Sequence, residues 1–147
     1  MIVSMKSTVF GQNFLRKECA LMNLLKFFSN RIKSIYYAGK GVGVMLAQEH
    51  NAWIHAVATL AVVSAGLALG FSRSEWCWIV LAVVAVWTAE AFNTAFEFLT
   101  DLASPEFHPL AEKAKDVAAG AVLITALGAL VIGLLVFTPY ILEGLKK

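Results

Sequence analysis

Three long apolar runs constrain the fold of this chain more strongly than any other feature of its sequence. They extend over Ala52 to Phe71, Trp76 to Leu99 and Val117 to Ile141. A helix needs about 20 apolar residues to cross about 30 Å of hydrocarbon, so each run is long enough to span a bilayer. Within lipid, the helix is the only open element that satisfies its own backbone hydrogen bonds. The sequence therefore predicts an all-α integral membrane bundle of three helices.

The composition supports a membrane location. The 147 residues are 59% hydrophobic and 15% charged, whereas soluble domains average roughly 45–50% apolar and about 25% charged residues. The net charge of +2 argues against a nucleic-acid-binding protein, which needs clustered Lys and Arg. Cys19 and Cys77 have no CxxC partner and no neighbouring His cluster, so we expect structural thiols and neither a metal site nor a disulfide.

The connections between the runs predict the topology. Only Ser72 to Glu75 separates the first two runs, which predicts an antiparallel helical hairpin, and a polar loop from Asp101 to Asp116 joins the last two. Lys and Arg are frequent before the first run, whereas the first loop holds Arg73 alone. The positive-inside rule then places the N-terminus and the second loop in the cytoplasm, with the protein in the cytoplasmic membrane.

The segment that precedes the first run has a different pattern. Between Met22 and Gln48, aliphatic and aromatic residues alternate with basic ones, which is typical of an amphipathic helix lying in the headgroup layer. A simple positive-inside anchor is the alternative interpretation. Translation from Met22 instead of Met1 is a further hypothesis, which the intact mass of the native protein tests.

Polar residues interrupt the second run near its predicted cytoplasmic end. Glu90, Asn93, Glu97 and Asp101 follow at spacings of three, four and four, so they share one helical stripe. Ionisable residues inside a span are costly and are functional by default. Glu90 and Glu97 lie about 10.5 Å apart along the helix axis. That separation suits two tasks, a deeper base for a buried hydroxyl and a shallower ligand for Mg²⁺.

Lys115 and Asp116 supply a second charged pair just before the third run, where we expect a helix N-terminus that favours anions. A base, a cation-binding carboxylate and a Lys are the parts that phosphoryl transfer requires. No GxxxxGK[ST] or GxGxxG loop is present, so a nucleotide site would be of an unfamiliar kind. Two other functions fit the acidic stripe: hydrogen bonding between helices and a proton or ion pathway in a non-enzymatic conductor.

Several motifs together resemble one family. They are the run Glu90-Ala-Phe-Asn-Thr-Ala-Phe-Glu97, Asp101, the loop Ser104 to Leu110 and the segment Ala114 to Leu123. This pattern closely resembles the prokaryotic diacylglycerol kinase family, which includes the undecaprenol kinases. The resemblance implies a homotrimer of three-span subunits, each with an N-terminal surface helix and with active sites at subunit boundaries. It further implies transfer of the γ-phosphoryl group of Mg-ATP to a lipid hydroxyl by residues 31–147, preceded by an extension over residues 1–30.

The resemblance also implies roles for individual residues. Glu90 matches the general base, and Asn93 is its neighbour at the lipid substrate. Glu49 and Glu97 match the ligands of Mg²⁺. The positions that match nucleotide contacts are Tyr37, Glu49, Glu97, Glu106, Phe107, His108, Lys115 and Asp116.

Two regions refine this comparison with the family. The family's basic residue in the surface helix falls at Asn30, one place before Arg31. The run from Glu49 to His55 and the loop Ser104 to Leu110 are more similar to undecaprenol kinases than to diacylglycerol kinases. Undecaprenol is therefore the slightly favoured acceptor, and we expect His55 to be a hydrogen-bonding residue at the membrane interface.

Overall fold

The chain folds into four helices. The computed structural model describes the backbone of residues 2–145 and the side chains of residues 22–145. The helices are α1 (Ile2–Gln48), α2 (His50–Leu69), α3 (Arg73–Ala103) and α4 (Pro109–Gly144), and the described residues contain no strand. α2, α3 and α4 are each long and apolar enough to cross a membrane. The predicted all-α fold with three membrane spans is confirmed.

The chain divides into two compact units, residues 1–43 and residues 44–147. The predicted helix over Met22 to Gln48 is confirmed as part of the longer helix α1. The described side chains of the first unit, residues 22–43, are exposed, aliphatic and aromatic ones included. The guanidinium carbon of Arg31 lies 5.4 Å from the ring centre of Phe27. Cys19 lies outside the described side chains, whereas Cys77 in the second unit is an exposed free thiol.

The connection between α3 and α4 is much shorter than the predicted loop Asp101 to Asp116. α3 continues to Ala103 and α4 begins at Pro109. Proline suits the first position of a helix because its fixed φ is already helical and it lacks an N–H that would have no partner there. His108 caps α4, since its Nδ1 accepts a hydrogen bond from the backbone N–H of Leu110 at 3.2 Å.

This early start of α4 corrects one sequence-based expectation. Lys115 and Asp116 lie beyond the first turn of α4 instead of at its N-terminus. The helix dipole acts within the first turn, so the predicted dipole contribution to anion binding at this pair is wrong. Any anion bound here interacts with the Lys115 ammonium itself.

The turn between α2 and α3 is stabilised by backbone and side-chain hydrogen bonds. α2 ends at Gly70, whose φ of 71° is left-handed and suits glycine. Ser72 and Glu75 form a capping box at the start of α3, with the Glu75 carboxylate accepting from the Ser72 N–H at 2.6 Å. The same carboxylate accepts from the hydroxyl of Tyr140 on α4 at 2.9 Å. All three spans are thus fixed together at this end, which we call the hairpin end.

A small apolar core fills the hairpin end. Phe71 is its centre, and its ring lies 5.1 to 5.6 Å, centre to centre, from the rings of Trp76, Phe137 and Tyr140. Gly66 completes the packing, because a Cβ at this position would lie 2.7 Å from the Phe71 ring. Further along the spans, a cavity of about 470 Å³ with an almost wholly apolar lining lies between α2, α3 and α4.

Candidate active site

Glu90 is the most unusual residue of the three spans. It lies on α3 and is 1% exposed, although an ionised carboxylate in an apolar setting is costly. Neither carboxylate oxygen has a hydrogen-bond partner among the described residues. The His55 Nε2 atom on α2 is 2.9 Å from Glu90 Oε1, but the pair is not aligned as a hydrogen bond. Glu90 therefore has acceptor capacity that the described residues leave unused.

The predicted polar stripe along α3 runs from buried to exposed positions. Asn93 is buried and donates its Nδ2–H to Glu97 Oε1 at 3.0 Å, while its own Oδ1 is buried without a hydrogen-bond partner. Glu97 is half-buried and Asp101 is exposed. The stripe thus leads from a desolvated carboxylate to water within one face of a single helix.

Glu49 approaches this stripe from α2. It occupies the N-cap position with extended backbone, but its side chain makes no capping hydrogen bond. Burial raises the pKa of the Glu49 carboxyl from its ordinary value, and the negative charge of the nearby Glu97 raises it further, with a smaller effect from Glu90. Neighbouring carboxylates of this kind favour a bound proton or a cation, because either one reduces their repulsion. We call this end of the second unit the acidic end.

The acidic end fits a magnesium ion that is delivered with phosphates. The described residues contain no group of three or more His, Cys, Asp or Glu side chains that could hold a metal by themselves. Mg²⁺ is usually bound through one or two carboxylates together with substrate phosphates and water, and seldom in an all-protein cage. The mutual approach of Glu49 and Glu97 provides that partial ligand set.

A second, polar cavity of about 370 Å³ lies where α3 meets α4. The Lys115 ammonium donates to the Asp101 carboxylate across the two helices. The predicted nucleotide contacts of the loop and of α4 all line this cavity, namely Glu106, Phe107, His108, Lys115 and Asp116. Phe107 is 79% exposed, so its ring is free to stack on a flat ligand.

Some residues of the polar cavity were not assigned to a nucleotide site from the sequence. Asp101 was predicted only as the exposed end of the acidic stripe, and Ser104 and Glu112 also line the cavity. The signal for Glu112 was its spacing, because it lies three and four positions before Lys115 and Asp116 on a helix that begins at Pro109. His55 was expected to form hydrogen bonds at the interface, but its approach to Glu90 had no sequence signal.

Tyr37 belongs to the first unit, where it is exposed and meets the ring of Tyr36 edge to face. Arg31 and Asn30 lie in the same unit. The sites around Glu90 and Lys115 are therefore built here from the second unit alone.

The comparison with known proteins agrees with this geometry. The family model of prokaryotic diacylglycerol kinase matches residues 36–137, a range that includes Tyr37, the polar cavity, the whole acidic stripe and the lining of the apolar cavity except Ile141. The chain belongs to the prokaryotic diacylglycerol kinase family. It is therefore a multi-pass membrane enzyme of the lipid kinase class.

Individual relatives carry two enzyme names. The undecaprenol kinase of Bacillus subtilis is 41% identical over 107 residues, which cover 73% of this chain and 87% of the relative. A diacylglycerol kinase of Synechocystis is 35% identical over 115 residues, covering 78% of this chain and 66% of the relative. The diacylglycerol kinase of Escherichia coli K12 is 29% identical over 104 residues, covering 71% and 85%.

Membership of the diacylglycerol kinase family favours an enzymatic role for the acidic stripe over helix packing alone or a proton or ion pathway. Phosphoryl transfer uses a group that orients or deprotonates the acceptor and groups that hold a metal ion on the phosphates. The buried Glu90 and the half-buried Glu97 place carboxyl groups at two depths of one helix, which is compatible with such a division of tasks. A helix-packing role alone does not account for carboxylate oxygens that lack hydrogen-bond partners.

Proposed function

We propose that this protein transfers the γ-phosphoryl group of Mg-ATP to the hydroxyl of a membrane lipid alcohol, with undecaprenol favoured over diacylglycerol. The observation that carries the proposal is the buried Glu90 carboxylate without hydrogen-bond partners. It lies two helical turns from Glu97, which meets Glu49 at the acidic end. A base at membrane depth and a cation-binding pair nearer water suit a greasy acceptor and a polar donor.

Glu90 acts as the general base in this proposal. A Glu90 oxygen takes the proton of the lipid hydroxyl while the hydroxyl oxygen forms a bond to the γ-phosphorus of ATP. The bond between the γ-phosphorus and the β–γ bridging oxygen breaks, and ADP leaves. Asn93 lies one turn away on the same face, where it contacts the acceptor and orients Glu97 through their hydrogen bond.

Glu49 and Glu97 hold Mg²⁺, which neutralises charge on the phosphate oxygens when it is bound. Lys115 lies beyond them at the polar cavity and is paired with Asp101. Both groups are exposed enough for this pair to exchange partners, so Lys115 contacts the phosphates of bound ATP. Glu106, Phe107, His108 and Asp116 then line the nucleotide, while the nucleotide contact of Tyr37 stays a prediction from the family resemblance.

The choice of acceptor depends on similarity as well as chemistry. Undecaprenol and diacylglycerol both present apolar chains with a hydroxyl, so Glu90 suits either. The higher identity to an undecaprenol kinase, 41% against 35% and 29% for the two diacylglycerol kinases, favours the isoprenoid alcohol.

The assembly and its placement complete the proposal. The kinase domain covers residues 31–147, works as a homotrimer and lies in the cytoplasmic membrane with its N-terminus in the cytoplasm. The positive-inside pattern supports this orientation. On α4, a Cβ added at Gly120 or Gly128 would meet nothing within 4 Å, which leaves room for a neighbouring subunit to approach.

The test is phosphate transfer by the purified full-length chain in lipid bilayers. Undecaprenol and diacylglycerol are supplied side by side with ATP and Mg²⁺, and the labelled lipid product is measured. We expect transfer to both alcohols, with the higher kcat/KM for undecaprenol. The opposite result has three parts: neither lipid is phosphorylated, Mg-ATP does not bind, and protons cross the membrane of liposomes that contain the protein. That result would show a conductor and not a kinase.

A further inference from the structure

We propose that His55 is a positioning residue for Glu90. In the reactive state its Nε2–H donates to Glu90 Oε1, which holds the carboxylate in one orientation and leaves Oε2 to take the proton of the lipid hydroxyl. This assignment rests on the proposed kinase function. It adds to that function a residue on a different helix from the base.

The first support is the distance between the two side chains. His55 Nε2 lies 2.9 Å from Glu90 Oε1, which is within hydrogen-bonding range for a nitrogen and an oxygen. The ring N–H is not in line with the oxygen, since Oε1 has no hydrogen-bond partner. Catalytic hydrogen bonds often tighten only when substrate is bound.

The second support is what surrounds Glu90. The residue is 1% exposed, and neither oxygen has a donor among the described residues. The neighbouring Asn93 donates to Glu97, and the Thr94 hydroxyl donates to the backbone carbonyl of Glu90. The Thr94 hydroxyl is thus already in use, and the Asn93 amide is directed to Glu97 and makes no hydrogen bond to the Glu90 carboxylate. Among the described side chains, His55 is the polar group placed to orient this carboxylate.

The third support separates positioning from helix packing. α2 and α3 already have a polar contact further along, where Trp87 Nε1 donates to Thr59 Oγ1 at 3.1 Å. Thr59 lies one helical turn after His55, and both side chains line the large apolar cavity. A matched pair of variants is therefore available on one face of α2. A substitution of His55 removes the contact to Glu90. A substitution of Thr59 removes the hydrogen bond from Trp87, which joins α2 and α3 without touching Glu90.

A positioning role also predicts which substitutions are tolerated. The amide nitrogen of a glutamine can take nearly the same place as Nε2 of histidine and can donate one hydrogen bond. A glutamine cannot carry a proton away, so it preserves positioning and abolishes any relay. His55→Gln thus reports on donation, and His55→Leu removes the donor while keeping an apolar side chain in the cavity.

The experiment measures kcat and KM for ATP and for the lipid alcohol with the full chain in bilayers. We expect His55→Leu to lower kcat about 10- to 100-fold, because misplacing a reacting group by about 1 Å can cost about 10²-fold. Both KM values stay within about twofold, since His55 contacts neither substrate in this proposal. His55→Gln restores kcat to within about fivefold of wild type, and Thr59→Val leaves kcat nearly unchanged.

Coupling to Glu90 provides a second readout. In a Glu90→Gln background, His55→Leu should cause no additional loss in the residual rate, because the group it positions is already gone. Full additivity in the double variant would overturn the assignment, as would a His55→Gln rate as low as that of His55→Leu. Wild-type kcat in His55→Leu would overturn it too, while leaving the kinase function standing. Failure of the wild-type chain to phosphorylate either lipid would instead refute the proposed function itself.

Discussion

The hairpin end and the acidic end of the second unit satisfy their polar groups in opposite ways. At the hairpin end, the Glu75 carboxylate accepts hydrogen bonds from Ser72 and from Tyr140, and aromatic rings close over the turn. At the acidic end, both oxygens of Glu90 and Oδ1 of Asn93 are buried without hydrogen-bond partners. The hairpin end satisfies its carboxylate with hydrogen bonds from the chain itself. The acidic end leaves these buried oxygens without hydrogen-bond partners among the described residues.

This difference separates stability from function along the same helices. Buried polar groups without partners cost free energy, so the acidic end is less optimised for stability than the hairpin end. The hairpin end carries the internal packing of α2, α3 and α4. Substitutions there should change the free energy of unfolding, whereas substitutions at the acidic end should change the rate of phosphoryl transfer.

Replacing the base should have the largest effect. We expect Glu90→Gln to lower kcat by about 10² to 10⁴, the usual contribution of a general base, because the amide cannot take a proton. Thermal unfolding in detergent should be unchanged or slightly improved, since a buried group that carries charge is removed. Wild-type turnover in this variant would show that another group is the base.

Removing a carboxylate from the metal-binding pair should have the next largest effect. We expect Glu97→Gln to lower kcat about 100-fold, since a metal's charge stabilisation is worth several kcal/mol and each 1.36 kcal/mol is about tenfold. Half-maximal activity should also require more Mg²⁺. Glu143→Gln, at an exposed position near the end of α4, is the matched control. An unchanged Mg²⁺ dependence in Glu97→Gln would argue against the assigned ligand.

A change at the hairpin end should lower thermal stability and leave kcat unchanged, the opposite of a change at the acidic end. Gly66→Ala places a methyl group 2.7 Å from the Phe71 ring, and overpacking of this kind costs about 1 to 3 kcal/mol. We expect a lower melting temperature with an unchanged kcat for the folded protein. Leu67→Ala, at a residue that is 71% exposed, should leave the melting temperature nearly unchanged. A large loss of kcat in folded Gly66→Ala would break the proposed separation of the two ends.

A change at the polar cavity should affect catalysis less than a change at Glu90 or Glu97. Lys115→Met should raise the KM for ATP about tenfold, the size of one lost charge-assisted hydrogen bond worth about 1.4 kcal/mol. Asp101→Asn tests the pair from the other side. Because exposed ion pairs contribute at most about 1 kcal/mol, the melting temperature should hardly change. A KM for ATP that is indifferent to Lys115→Met would place the phosphates elsewhere.

The sequence predicted the spans and the order of the acidic stripe because both follow from simple periodicity. Twenty apolar residues and a spacing of three or four leave little choice of structure. The start of α4 was harder to predict, since Pro109 is compatible with a loop as well as with the first position of a helix. That ambiguity explains why the loop is shorter than predicted. It also explains why Lys115 lies beyond the first turn of α4 and not at the N-terminus of the helix.

The parts of the site that escaped prediction depend on contacts between helices. His55 and Glu90 are 35 positions apart, and nothing in their local pattern states that α2 and α3 place them together. The approach of Glu49 to Glu97 is of the same kind, and it was inferred from family resemblance instead of from spacing. Rotation of one helix about its axis would separate either pair without changing a single periodicity.

The lengths of α3 and α4 have a consequence for where the reaction takes place. α4 has 36 residues, which is about 54 Å at 1.5 Å per residue, whereas the hydrocarbon layer is only about 30 Å thick. A helix longer than the hydrocarbon layer extends beyond it or tilts within it, and α3 and α4 are joined near Lys115 by its contact with Asp101. The depths of Glu90 and Glu97 in the bilayer then depend on how far α3 extends or tilts. Bilayers of unsuitable thickness would draw Glu97 into lipid or raise Glu90 into water, so the chain length of the surrounding lipids should itself tune the rate.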